Sequence, residues 1–258
     1  MRPLIVFLLS VLTLLSCGNT HKQQVVKGSQ SELQYAHNIT IEHTKDYVTV
    51  RLLNPWKEGS ILHTYYLVKR GTQVNVPDDG TKVVVPLQRS VIFTTAHANL
   101  VEMLKAPRAI AGVADLRYMI IPDVQRRAHR KGGIVDCGDA MKPDIERIID
   151  LRADAILLSP FENSGGYGRL EQIGIPLIEC ADYMETSALG RAEWMKFYGL
   201  LYGKEHEADS LFTVVEQNYK SLSKQASHSK ITRSVLPDRK LSVSFRCWMA
   251  LLPQSTLL

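Results

Sequence analysis

The apolar positions of residues 132–182 switch between two periods. Met141, Ile145, Ile148 and Ile149 recur at helical spacing around Pro143-Asp144, a helix-start signal, and this helix is predicted to end near Leu151. Ala155-Ile156-Leu157-Leu158 follows, a continuous apolar run too short for a buried helix and suited to a parallel strand covered on both faces. Ser159-Pro160 stops it. A loop over 161–168 with three glycines comes next, then a short helix over 169–173, and Gly174-Ile175-Pro176 turns the chain into a strand over 177–180. The alternation predicts an α/β layer whose parallel strands are joined by right-handed crossovers.

The flanks extend the same pattern. Ser90-Val91-Ile92-Phe93-Thr94 reads as a buried strand, 99–105 as a helix and 110–113 as the next strand, with Asp115-Leu116-Arg117-Tyr118 at its carboxyl end, the edge where open α/β sheets place ligands. Residues 123–131, ending in Arg-Arg-Ala-His-Arg-Lys, form a basic helical stretch expected to be a solvated face. Earlier, Ile39, Ile41 and His43 alternate with polar residues, Lys45-Asp46 supplies a turn, and β-rich runs occupy 47–53 and 61–69. Asp78-Asp79-Gly80-Thr81 is a further turn signal, with 82–85 leading into Pro86-Leu87. Past Asp182, residues 187–202 and 206–224 carry apolar side chains at near-helical spacing, with Gly203-Lys204 between them.

The ends differ in character. Leu4 to Leu15 is an apolar run shorter than the roughly 20 residues that cross a bilayer, preceded by one basic residue, Arg2, and reads as a signal peptide. Leu14-Leu15-Ser16-Cys17-Gly18 resembles a bacterial lipobox, which implies acylation at Cys17 and a membrane anchor outside the cytoplasm. Residues 18–34 are polar and without periodicity, as expected of a flexible tether. Residues 241–258 contain one Arg, no acidic residue and no glycine, and follow neither period.

Residues 141–157 spell Met-x-x-x-Ile-Glu-x-Ile-x-x-Leu-x-x-Asp-x-Ile-Leu and are followed by the Gly-Ile-Pro lead-in at Gly174. With the segments before and after it, this pattern resembles the first lobe of the substrate-binding lipoproteins that serve ABC importers of iron-siderophores, haem and cobalamin, the class III, helical-backbone binding proteins. It covers roughly half of the chain. The resemblance implies an α/β fold: a parallel-sheet N-terminal lobe with a β-meander before it and a long connecting helix after it, the second lobe largely missing. The expected organisation is a signal peptide at 1–17, a tether at 18–34, a β-rich extension at 35–85, the ligand-binding lobe at 86–185, a helical connector at 186–228 and, at 229–258, an aberrant or truncated start of the second lobe, through a frameshift near Lys240. It implies a periplasmic or cell-envelope location, a permease and a metal chelate as partners, no cofactor and no catalysis. At the position of Glu146 the family places a glutamate that docks onto permease arginines.

Composition adds limits. A net charge of +5 without basic runs interleaved with aromatics gives no sign of nucleic-acid binding. The four cysteines, at 17, 137, 180 and 247, have no metal or redox spacing, and Cys137 and Cys180 read as small buried thiols. The histidines are scattered, Ser164 lacks the first glycine of a nucleophile elbow, and neither phosphate-loop pattern occurs. The glycine loop over 164–168 is either a tight turn or an anion cradle at the start of the next helix. Binding a chelate asks for less: aromatic faces for a macrocycle or catecholate, and Arg to pair with carboxylates or phosphates. The strand-end loops offer Arg117, Tyr118, Phe161, Tyr167, Arg169 and Tyr183, with Thr95, His97 and Asn99 as further candidates after the first strand. The function expected is capture of a metal chelate for an ABC importer. The alternatives are an extracytoplasmic α/β hydrolase with His97, Ser159 and Asp182 converging at strand ends, or a truncated fragment without function.

Overall fold

The computed structural model describes residues 33–162 and 166–227. The expectations for 1–32, including the signal peptide and Cys17, for Ser164 and Gly165 in the glycine loop, and for the tail from 228 onward lie outside these residues. Among the described residues no helix is long and apolar enough to cross a membrane.

The chain first builds a four-stranded sheet, β1 (Ile39–His43), β2 (Val48–Leu53), β3 (Ile61–Lys69) and β4 (Thr81–Val85), in that spatial order. The first three strands form the expected meander, but β4 adds to β3 in parallel, with Val83 opposite Leu67. This fourth strand was not anticipated: a short Thr-Lys-Val-Val-Val run shows no partner until β3 is seen to be buried on both faces from Thr64 to Val68. The turn before β4 needs Gly80, because a Cβ there would lie 2.6 Å from the Thr64 carbonyl oxygen.

The second sheet has the order β11-β10-β5-β6-β7, all parallel, from β5 (Ser90–Ile92), β6 (Ile110–Val113), β7 (Val135–Asp136), β10 (Ala155–Leu158) and β11 (Leu177–Glu179). Val91, Ile110, Ala155 and Leu177 thus share one sheet, as the periodicity requires. Between these strands run α1 (Thr95–Met103), α2 (Pro122–Ala128), a small hairpin of β8 (Gly138–Asp139) and β9 (Lys142–Pro143), α3 (Ile145–Asp150) and α4 (Arg169–Gln172). Alternate side chains go to opposite faces. Ile92, Ala155 and Leu157 join the core shared with the first sheet and the later helices, while Val91, Ile156 and Leu158 pack with Ile145 and Ile148 of α3. Burying these strands on both faces stabilises the fold by about 25 cal/mol per Å² of apolar surface removed from water.

After β11 come α5 (Ala188–Glu193), α6 (Met195–Tyr202) and the 23-residue α7 (Glu205–Ser227), the helices expected over this stretch. Gly203, at φ 63°, closes α6 in the left-handed conformation, and the Lys204 N–H returns to the Gly199 carbonyl at 2.7 Å.

Three expectations are corrected. Met141 does not extend the α3 face: Asp144 caps the helix by accepting from the Arg147 N–H, so α3 starts at Ile145, Met141 is 79% exposed and Ile149 48% exposed. Helix α1 begins at Thr95 rather than Asn99, because the Thr94 side chain accepts from the His97 N–H. The tether was drawn through residue 34, yet Leu33 is buried and the N–H groups of Gln34, Tyr35 and Ala36 donate to Glu193 at 2.7–2.9 Å. The carboxylate of Glu185 continues this clasp, accepting from the N–H groups of His37 and Asn38 and from the Trp194 indole.

Candidate functional site

Strands run outward from β5 in two directions, to β6 and β7 on one side and to β10 and β11 on the other, so the loops after β5 and β10 diverge at the carboxyl edge, where open α/β sheets place ligands. Four of the expected ligand residues stand on loops along that edge. Arg117 and Tyr118 occupy a 3₁₀ turn after β6, where the guanidinium carbon lies 4.5 Å from the centre of the Tyr118 ring, and Tyr118 is 59% exposed. The turn is fixed by Asp115, whose N–H donates to the Gly138 carbonyl at 2.7 Å, and by the Thr95 hydroxyl, which donates to the Tyr118 carbonyl at 3.0 Å. Phe161 follows β10 and is partly exposed. Tyr183 follows β11, and its hydroxyl donates to the Pro160 carbonyl, tying the last two loops together. Burial, and then the charge of Asp182, raises the Tyr183 phenol, so this hydroxyl stays a donor.

The other two residues part from this group. Arg169, the first residue of α4, is exposed and its position does not extend the Arg117–Tyr118 turn. Tyr167 turns its hydroxyl to Glu179, donating to Oε1 at 2.7 Å, and lines a different cavity. Their spacing in the loop is local, but which neighbour Tyr167 meets is set by β11 twelve residues on.

Beneath the edge, His97 and Asp182 do approach each other. His97 Nε2 is 3.4 Å from Asp182 Oδ1, and Arg191 Nε is 3.3 Å from Oδ2 of the same carboxylate. His97 is 4% exposed, and its Nδ1 has no hydrogen-bond partner among the described residues. Ser159 is half-buried and contributes no hydrogen bond to this pair among those residues. Asn99 points along its own helix, its amide donating to Met103 Sδ at 3.6 Å.

Cys137 and Cys180 are buried free thiols. Burial pushes Cys137 up to about 12, which makes it a packing residue rather than a nucleophile. Among the described residues, no group of three or more His, Cys, Asp or Glu is placed to hold a metal ion. Glu146 stands on the first turn of α3, exposed; its neighbour Arg147 is paired with Asp144 at 3.0 Å and leaves it without an ion pair among the described residues.

Sequence reasoning missed the carboxylates that organise the other side of the lobe. Each of the carboxylates of Glu185, Glu193 and Glu179 acquires its role from a partner more than a hundred residues away.

No protein-family model matches the chain. Two uncharacterized lipoproteins of Methanocaldococcus jannaschii are similar to it, one 28% identical over 163 residues (60% of this chain, 39% of the relative), the other 24% identical over 205 residues (75% and 52%). The chain therefore spans about half the length, or less, of these relatives. Among solved structures, it resembles the molybdate periplasmic binding protein MolA of Haemophilus influenzae (17% identity, TM-score 0.47, 55% of this chain and 49% of that one). It also resembles the petrobactin-binding protein YclQ of Bacillus subtilis (18%, 0.43, 54% and 47%) and Staphylococcus aureus IsdE complexed with haem (17%, 0.45, 55% and 51%). In each case the resemblance covers about half of both chains.

Proposed function

We propose that this chain is the first lobe of an extracytoplasmic substrate-binding protein that captures a metal chelate and hands it to an ABC importer without catalysing a reaction. The observation that carries the reading is the carboxyl edge, where Arg117 and Tyr118 follow β6, Phe161 follows β10 and Tyr183 follows β11, on both sides of a topological switch point. A guanidinium and three aromatic faces suit a planar anionic ligand, such as a catecholate or carboxylate siderophore or a tetrapyrrole. Arg169 and Tyr167 are not part of this proposed surface. Glu146, exposed at the same edge, is the proposed contact to permease arginines, and Cys17 the proposed site of lipid attachment that keeps the protein beside its importer.

The test is titration of the full chain with a ferric siderophore panel, haem and cobalamin, followed by tryptophan fluorescence. Saturable binding of one class, weakened about tenfold or more by Arg117→Ala, is expected. Absence of binding in all three classes, or an unchanged affinity in both Arg117→Ala and Tyr118→Ala, would remove this assignment.

The His97–Asp182 contact keeps a second reading in view, an α/β hydrolase with Ser159 as nucleophile. It requires esterase turnover that disappears in Ser159→Ala, and the Arg191 pairing on Asp182 argues for a structural clasp instead.

A further inference from the structure

A cavity of about 600 Å³ lies along the free side of β11, between that strand and the beginnings of β3 and β4. It is distinct from the strand-end surface in its lining: its wall follows β11 from Pro176 and Leu177 to Glu179, and none of Arg117, Tyr118, Phe161 and Tyr183 is part of it. Its volume is that of a small-molecule pocket. Leu62 and Ile175 add apolar surface, and the Tyr167 ring and Glu179 supply the polar end.

Glu179 is the reason for its chemistry. The side chain is 10% exposed, and Oε1 accepts from the Tyr167 hydroxyl at 2.7 Å while Oε2 lies 3.1 Å from His63 Nδ1. The His63 Nε2 is held 2.8 Å from the Thr81 hydroxyl and its ring stacks on Tyr65 at 4.4 Å, so the imidazole is fixed in place. Burial, and then the hydrogen bond to Glu179, raises the Tyr167 phenol; that donor brings no charge of its own. The Lys82 ammonium, on the rim, donates to the Val74 carbonyl at 3.0 Å and makes no ion pair with Glu179 or Glu171 among the described residues. The second carboxylate on the wall, Glu171, accepts from the Tyr167 N–H at 2.6 Å. A carboxylate taken out of water is costly unless a cation meets it. Here His63 meets it as an ion only when protonated, and about half of the carboxylate's lone-pair sites remain for another donor.

We infer that this cavity binds a small organic cation, an amine or guanidine on a compact apolar body. The charged head meets Glu179 and the face of Tyr167, while the body lies against Leu62, Ile175 and Pro176. The inference stands independently of the chelate reading, because it uses none of Arg117, Tyr118, Phe161 and Tyr183.

The test is calorimetric titration and saturation-transfer NMR of the full chain with phenethylamine and agmatine, and with phenethyl alcohol as the uncharged match. Both methods are expected to show the amines binding at millimolar or lower concentration and the alcohol at least about tenfold more weakly. Ile175→Trp, which fills the cavity, should abolish binding. Glu179→Gln keeps the shape and removes the charge, and should erase the preference for amine over alcohol. Failure of both amines to bind at millimolar concentration overturns the inference, as does equal affinity for amine and alcohol in the unsubstituted chain. An amine preference that survives Glu179→Gln also overturns it.

Discussion

Tyr65→Phe isolates the joint between the two sheets. In the second sheet, β11 pairs with β10 on one side only, which leaves the Glu179 N–H and Leu177 carbonyl pointing away from the ladder. The Tyr65 hydroxyl takes the place of a neighbouring strand: it accepts from the Glu179 N–H at 2.9 Å and donates to the Leu177 carbonyl at 3.0 Å. The ring is fully buried against Phe197 and His63, contacts that phenylalanine preserves. Removing one oxygen therefore deletes two hydrogen bonds of about 1 kcal/mol each and strands a buried donor and acceptor, for a total of about 2–4 kcal/mol. With a urea slope of about 2 kcal/mol/M, the midpoint should fall by about 1–2 M with the slope unchanged. Hydrogen exchange supplies the second readout, because the Glu179 amide should lose protection while amides within β5 and β6 keep theirs relative to global stability. A loss below about 0.5 kcal/mol, together with full protection at Glu179, would refute the account of this joint.

Three other outcomes follow from the geometry. Glu193→Leu removes a fully buried carboxylate that accepts three backbone N–H groups; it should cost about 3–5 kcal/mol and expose residues 33–36 to exchange, and unchanged protection at Tyr35 and Ala36 would contradict the clasp. Glu102 is pushed up to about 7, first by burial and then by the charge of Asp123, from an ordinary 4.5. The folded state thus holds this proton more tightly than the unfolded chain, so its contribution is present below pH 4.5 and is lost as pH rises to 7. Glu102→Gln should flatten that slope in a melting series and stabilise the protein at pH 8 by about 1 kcal/mol, a figure reduced for partial solvent screening; parallel curves for the two proteins would exclude the assignment. Finally, Ile148→Ala should lose about 2–5 kcal/mol and Ile149→Ala less than about 0.5, because only Ile148 reaches the sheet. Equal losses in chemical denaturation would mean that the α3 face is wrongly drawn.

The sequence by itself determined the layer. The shift of period through residues 132–182, the all-apolar runs at 91–92, 110–113 and 155–158, and the Gly-Ile-Pro lead-in to 177 require parallel strands covered on both faces, and the structure puts all of them in one sheet. Because parallel strands place their following loops on one edge, the positions of Arg117, Tyr118, Phe161 and Tyr183 could also be read from the order of elements alone. Only the tertiary structure decided which polar groups meet. Tyr65 and Leu177 are 112 residues apart, and Gln34 and Glu193 are 159 apart. Local spacing constrains neighbours a turn or a strand away, whereas such pairs depend on how complete layers are stacked. For the same reason Tyr167, in the same loop as Phe161, faces Glu179 instead: a hydroxyl goes to the carboxylate that the next strand buries beside it.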